Sequence, residues 1–457
     1  MAKLTFYGGI GMITGANFLL EADGMRILID CGFFQGCDIC DEKNSATFPY
    51  DPASIDVLLV THAHIDHTGR IPYLVKSGFR GKIVSTPPTK EISELLFFDS
   101  IEIEQNKKKV GGRSLLYDKE DVRKTMMLWS GIPYHEAINL SKNLCASFKN
   151  AGHILGSAMI EIVRTIKAGE AEKRIVFTGD LGNSPDPILP DTEIVNDADY
   201  LVIESVYGDR NHEDRGFRKE RLEDAVERTV QMRGVLLIPA FSIERTQELL
   251  FEIGEMMRAS KIPLVLTFLD SPLSIKAVDI YKKYSDYLNQ GVKKQSEKGR
   301  LFASPQLMLI KTSDESKNID KFPNPKIIIA GSGMSDAGRI IFHEKKYLED
   351  PRTTLLFVGY QIPGSLGRKL HDGVKEITIS DKKISVRARI ESISGYSAHK
   401  DRDGLMQFVE NSADRLKQVF VVMGEPKSSM FLIQRIRDYL GLNAYMPKEG
   451  EIIELDF

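Results

Sequence analysis

The sequence is poor in the residues that mark several functional classes. It has one Trp and four Cys in 457 residues, too few thiols for a disulfide scaffold. No apolar run approaches the roughly 18 residues that span a bilayer. The start, MAKLTFYGGIGMITGANFLLEADG, has no basic segment followed by an apolar block, so a cytoplasmic chain with no membrane partner is expected. Excess charge of one sign is also missing: 61 Lys plus Arg against 64 Asp plus Glu leaves −3. No global positive field draws a polyanion, and any such site must be local. Histidine is scarce, at nine, yet four of the nine are His62, His64, His67 and His153. The rest is ordinary: 42% hydrophobic and 27% charged residues describe a folding chain of two or three domains. Cys37 and Cys40 form one CxxC with no second pair or matching histidines. They are therefore read, with Cys31 and Cys145, as reduced thiols rather than as a metal or redox site.

LTFYGG, ANFLLEA and MRILIDCG are β-rich runs, and DVLLVTHAH is an apolar strand running into a loop. RIVFTGDLG and DYLVIESVYG are further strands of the buried type. From about Asp209 the texture becomes alternating helix and strand, through RKERLEDAVERTVQMRG, GVLLIPAFS, RTQELLFEIGEMMRAS and IPLVLTFLDSP to PKIIIAGSGMSD and TTLLFVGYQIPG. That rhythm predicts a parallel sheet with ligand-facing loops at the strand carboxyl ends. Near Lys383 the strand-rich style returns. The simplest organisation is nested: residues 1–207 and 383–457 form one α/β domain, and 208–382 form an α/β domain inserted into it.

The informative segment is Thr61-His-Ala-His-Ile-Asp-His-Thr-Gly69. If the chain stays extended after DVLLV, His62 and His64 project to one side. Asp66 and His67 follow where HTGRIPYLVKSG turns helical, so four metal-competent side chains converge at one strand-to-helix turn. Imidazole suits zinc, and carboxylate can bridge two ions.

These residues match the HxHxDH signature of the metallo-β-lactamase superfamily, which the chain resembles. The resemblance extends to Asp30 in ILIDCG, His153 in NAGHILGSA and Asp180 in VFTGDLG. It implies an αββα sandwich and two divalent metals, zinc foremost with manganese as the alternative. His62, His64 and His153 would hold the first metal, Asp66 and His67 the second, with Asp180 and a hydroxide shared between them. Two such cations stabilise charge during in-line displacement at phosphorus, and Asp30 would orient the loop from behind.

From Glu204 in VIESVYGD to His399 in SGYSAHKD the chain also resembles the β-CASP nucleases of that superfamily, those like RNase J and the cleavage and polyadenylation factor nuclease. IPAFSIERTQELL, LDSPLS, IIIAGSGMSDAGRI and LFVGYQIPGSLGRKL carry the likeness. Glu204 corresponds to motif A and His399 to motif B. With Asp66 they are the catalytic candidates, His399 as general acid or phosphate stabiliser and Glu204 as its orienter. Ser332, Gly333 and Ser397, with Arg245 and Arg368, are candidate contacts to substrate phosphate. Residues 209–382 carry 29 Lys plus Arg and 25 Asp plus Glu, an excess of +4 that leaves −7 on the rest. The implied substrate is single-stranded RNA, cut endonucleolytically with 5′-to-3′ exonuclease action as an accompanying activity. DNA is the alternative substrate, a non-catalytic RNA-processing subunit the alternative role, and a homodimer is compatible with the sequence.

The likeness breaks at one place. β-CASP ribonucleases usually carry another metal-two histidine, motif C, in a sequence of the form VHGE. Here Val421-Val-Met-Gly-Glu425 puts Met423 at that position. A thioether is a poor partner for a borderline cation, so a weaker second site is expected, with Glu425 as a candidate substitute. The DNA-processing branch also has an apolar residue there, but SGYSAHKD and GSGMSDAGR look like the RNA branch.

Overall fold

The computed structural model describes the chain except residues 38, 109–114, 166–171, 213–214, 360, 362–363 and 380–381. Contacts divide it into two compact units, Met1–Asn211 with Ala398–Phe457, and His212–Ser397.

The first unit is built on two seven-stranded sheets. One runs Ile452–Leu455, Ala2–Phe6, Phe18–Ala22, Met25–Ile29, Val57–Leu59, Lys82–Ser85 and Trp129–Gly131. The other runs Ala444–Tyr445, Gln418–Val422, Tyr200–Glu204, Lys173–Phe177, Ala158–Arg164, Leu144–Asn150 and Ile138–Asn139. Side-chain alternation explains the layering. Phe18 and Leu20 join Phe6, Ile29, Phe177 and Phe420 in a core fed by both sheets, whereas Leu19 points the other way. Burying each such side chain contributes about 1.5–3 kcal/mol. The outward faces are covered by helices: Leu74, Phe97 and Val122 pack on Leu19, Leu28 and Leu58, and Leu405, Phe408 and Leu432 pack on Leu201, Ile203 and Val421. This is the αββα sandwich expected from the sequence. Its strands carry the candidate site residues just past their carboxyl ends, where ligands collect in α/β folds.

The second unit holds a six-stranded sheet in the order Leu307–Leu309, Leu266–Asp270, Lys326–Ala330, Val235–Pro239, Thr353–Phe357 and Arg389–Ser392. Every pairing is parallel, as the alternating pattern predicts. The helices Arg218–Gln231 and Arg245–Arg258 fall on the two amphipathic runs read as helices. The segment from Lys383, assigned above to the first domain on its strand-rich texture, stays in the second unit as far as Ser397, because Arg389–Ser392 pairs with Thr353–Phe357. Among the described residues, no helix is long and apolar enough to cross a membrane.

One cysteine expectation is corrected. Cys37 and Cys40 are joined by a disulfide: the three-residue spacing at the start of the helix Cys40–Ser45 brings the two thiols together. Cys31 and Cys145 are free thiols.

Candidate metal centre

The segment after Val57–Leu59 stays extended through His64 and then turns into the short helix Ile65–Thr68, with His64 as its N-cap. Thr68 Oγ1 donates to the carbonyls of Ala63 and His64 at 3.1 and 3.0 Å, which fixes the turn. The strand Met25–Ile29 delivers Asp30 from the neighbouring position. Gly32 lets that chain pass, since a Cβ there would lie 1.5 Å from the carbonyl oxygen of Asp66.

Three ring nitrogens converge. His62 Nε2 and His153 Nε2 each lie 3.2 Å from His64 Nδ1, and both lie 3.5 Å from Asp180 Oδ2. Zinc–nitrogen bonds of about 2.0–2.1 Å in tetrahedral geometry set neighbouring donors about 3.3 Å apart, so the four residues fit one cation. The other carboxylate oxygen, Asp180 Oδ1, faces His67 Nε2 at 3.3 Å, and Asp66 Oδ2 stands 3.9 Å from the same nitrogen. Asp180 thus turns one oxygen to each cluster. Both Asp180 Oδ1 and His67 Nε2 are buried with no hydrogen-bond partner. Buried polar atoms are ordinarily paired, so this orphaned pair also fits a cation.

The electrostatics of the first cluster agree with ligand chemistry. Burial holds His62 and His153 well below the usual imidazole range and pushes His64 down to about 4, so these rings are neutral lone-pair donors. Burial raises Asp66 to about 6. For Asp180 burial is outweighed by His67, which keeps its carboxyl well below the ordinary value. Burial disfavours a charged His67, but Asp180 and Asp30 outweigh it and hold that ring well above the usual imidazole range.

Behind the ligands, Asp30 accepts from the Thr61 N–H at 2.8 Å and from the Thr61 hydroxyl at 2.7 Å, and its Oδ2 lies 2.7 Å from His67 Nδ1. His153 is held by its own N–H to Ser157 Oγ at 2.9 Å, with Nδ1 3.3 Å from the carbonyl of Ala398. Thr61 and Ser157 were not singled out above. Their adjacency to THAH and to NAGHILGSA was the available signal.

Glu204 ends the strand Tyr200–Glu204 and is completely buried. Its Oε1 accepts from the Leu181 N–H at 2.6 Å, and its Oε2 lies 3.3 Å from His399 Nδ1. His399 is bridged to Gly182 and stands 3.9 Å from Asp180. Burial disfavours the charged ring, but Glu204 and then Asp180 outweigh it and raise His399 to about 9.

Met423 follows Gln418–Val422 with φ +48. It is buried and lines a small cavity shared with His67, Asp30 and Thr61. Glu425 is exposed at the N-cap of the helix Pro426–Leu440. It belongs to none of the metal-capable groups among the described residues, so the substitute-ligand expectation is dropped.

The candidate phosphate contacts fare less well. Arg245 is buried against Glu248 and over the ring of Tyr396. Arg368 Nε binds both oxygens of Asp372 at 2.9 Å. The Arg245 guanidinium is thus committed to Glu248, while Arg368 forms a part-exposed pair with Asp372 through Nε. The Ser332 N–H donates to Ala337 O at 3.1 Å, so it is not offered to a ligand, and the Ser397 N–H closes the turn to Ser394 O. Gly333 lies against the ring of Phe241.

Comparison with known proteins places this geometry. The model of the metallo-beta-lactamase superfamily domain matches residues 19–206, that of the Beta-Casp domain 246–370, and that of the Zn-dependent metallo-hydrolase RNA specificity domain 383–447. The chain is 32% identical to Ribonuclease TTHA0252 of Thermus thermophilus over 94% of this chain and 95% of that protein. It is 30% identical to an RNase J-like protein of Methanocaldococcus jannaschii over 100% of both chains. It is 31% identical to the transcription termination factor FttA of Methanosarcina mazei over 95% of this chain and 68% of that one. A crystal structure of a protein of unknown function from Enterococcus faecalis shares the fold, with TM-score 0.57 at 12% identity over 99% of this chain and 100% of its own. The chain therefore belongs to the β-CASP group of the metallo-β-lactamase superfamily.

Proposed function

We propose that this chain is a metal-dependent ribonuclease that hydrolyses phosphodiester bonds in single-stranded RNA, principally as an endonuclease. The observation that carries the reading is the convergence of His62, His64 and His153 on one point, with Asp180 turning its second oxygen toward His67. Three imidazoles and a carboxylate favour zinc at the first cluster. A cation held at each of the two clusters would supply the Lewis acidity that in-line displacement at phosphorus needs. Asp30 and Thr61 fix the ring of His67 so that Nε2 faces the second position. Glu204 holds His399 through Nδ1, which leaves Nε2 as the nitrogen that hands a proton to the leaving oxygen. Ribonuclease-named relatives matched over nearly the full length support RNA over DNA as substrate.

The test uses purified protein of known metal content with labelled single-stranded RNA and DNA of one sequence, alongside His64→Ala. RNA cleavage that His64→Ala abolishes supports the reading. Cleavage of DNA alone overturns the substrate, and tight metal binding without turnover on either overturns the activity.

A further inference from the structure

Phe241 leaves 43% of its surface exposed, and the chain around it is built to hold the ring there. It stands two residues past Val235–Pro239, a strand flanked in the parallel sheet by Lys326–Ala330 and Thr353–Phe357. The loops beyond those two neighbours bring Gly333 and Gly359 against the ring. A Cβ at Gly333 would lie 2.8 Å from Phe241 Cδ2, and one at Gly359 would lie 3.7 Å from Cε2. Hydrogen at position 333 is therefore a condition for the ring to lie flush on the loop backbone.

The loops themselves are tied together. The buried Gln361 amide donates to Gly333 O at 3.0 Å and to Gly359 O at 3.1 Å. Thr246 Oγ1 donates to Phe241 O at 2.7 Å, and Gln247 Nε2 donates to Ser242 O at 3.0 Å. The ring is anchored by three strand-end loops and the first turn of the helix Arg245–Arg258, so little freedom remains for a ligand to remove. The hydroxyls of Ser242 and Ser271, 3.4 Å apart, give the same end of the sheet a polar rim.

We propose that the exposed face of Phe241 is a stacking platform for one unpaired nucleobase of the RNA strand, and so a substrate-positioning residue; this rests on the ribonuclease reading above. Three features select this occupant. The position is the carboxyl end of a parallel sheet, where α/β folds take ligands. A fixed, exposed aromatic face is what base stacking requires, and it accepts any base. Single-stranded RNA presents splayed bases to such faces. Stacking holds the strand without entering the chemical step, so the platform acts on KM rather than kcat.

The experiment measures cleavage kinetics and, separately, anisotropy of a labelled single-stranded RNA with wild type, Phe241→Ala and Phe241→Trp. Phe241→Ala is expected to weaken binding and raise KM by about fivefold or more, with kcat within twofold, while Phe241→Trp restores both. A single abasic nucleotide walked along the RNA should weaken wild-type binding at one position and leave Phe241→Ala indifferent there. Equal RNA affinity for wild type and Phe241→Ala overturns the proposal, as does a loss that no abasic position abolishes. Binding is read without turnover, so a chain that cleaves no RNA fails the ribonuclease reading while this inference is still decided.

Discussion

Asp30 and His67 form a buried pair, with Asp30 Oδ2 2.7 Å from His67 Nδ1 and both side chains closed to solvent. The contact holds a proton on Nδ1, so that a cation bound at the second cluster would meet the Nε2 lone pair of the ring. Asp30 adopts φ +57, a left-handed conformation that Asn also tolerates. Asp30→Asn therefore keeps the backbone but loses the charge that holds Nδ1–H. Bound metal should fall from two toward one per chain, and activity should drop about 10–100-fold. Metal analysis after gel filtration checks the first, and initial rates at saturating metal check the second.

Met423 makes the second cluster the more testable of the two. Its Sδ would lie 2.5 Å from a Cβ placed on Gly9, and its N–H donates to Gly9 O at 2.6 Å, so its place in the cavity is fixed by backbone. An imidazole is smaller and supplies the nitrogen that the sulfur does not. Met423→His should tighten metal binding at the second cluster by at least about tenfold, in line with the effect of an added ligand on a borderline cation. Competition against a chromophoric chelator measures it. Unchanged affinity would show that the methionine does not weaken the site.

The pattern of what was readable follows from how local each signal is. His62, His64, Asp66 and His67 sit within six residues of one another, so a single strand-to-helix turn makes them meet and the sequence alone places them. Strand and helix type in the second unit was equally plain, because RTQELLFEIGEMMRAS and IPLVLTFLDSP each carry their own period. Partner choice was not. Nothing in the sequence tells Arg245, which pairs with Glu248 on its own helix, from an arginine turned toward phosphate. Gln361 shows its role only once the loops carrying Gly333 and Gly359 are side by side. The segment from Lys383 reads like the first domain's strands because strand propensity carries no information about which sheet a strand joins.

The proposed roles of His399 and Glu204 separate metal binding from proton transfer. Glu204 is held between the Leu181 N–H and His399, and the His399 ring lies beside the cluster, 4.6 Å from the ring of His153. Glu204→Gln and His399→Ala should each lower kcat by about 100-fold or more, the usual scale of a lost general acid, and should leave two metals bound. Single-turnover rates on excess enzyme, with metal content measured on the same samples, test this. Loss of metal together with activity would instead mark the pair as ligands.

Glu344 gives the second unit a pH dependence of its own. It is completely buried, with Oε1 hydrogen-bonded to Ser335 and Oε2 without a partner. Burial raises its carboxyl from 4.5 to about 8. Between these two values the unfolded chain has released a proton that the folded chain still holds, so stability falls as pH rises, by up to about 1.4 kcal/mol per pH unit. Glu344→Gln keeps an acceptor for Ser335 and removes the ionisation. The variant should match wild type near pH 4.5 and exceed it at pH 8 by roughly 2 kcal/mol or more. Native-state hydrogen exchange at the amides of Lys326–Ala330 reads this unit directly, and a wild-type protection profile that stays flat from pH 5 to 8 would refute the buried neutral carboxyl.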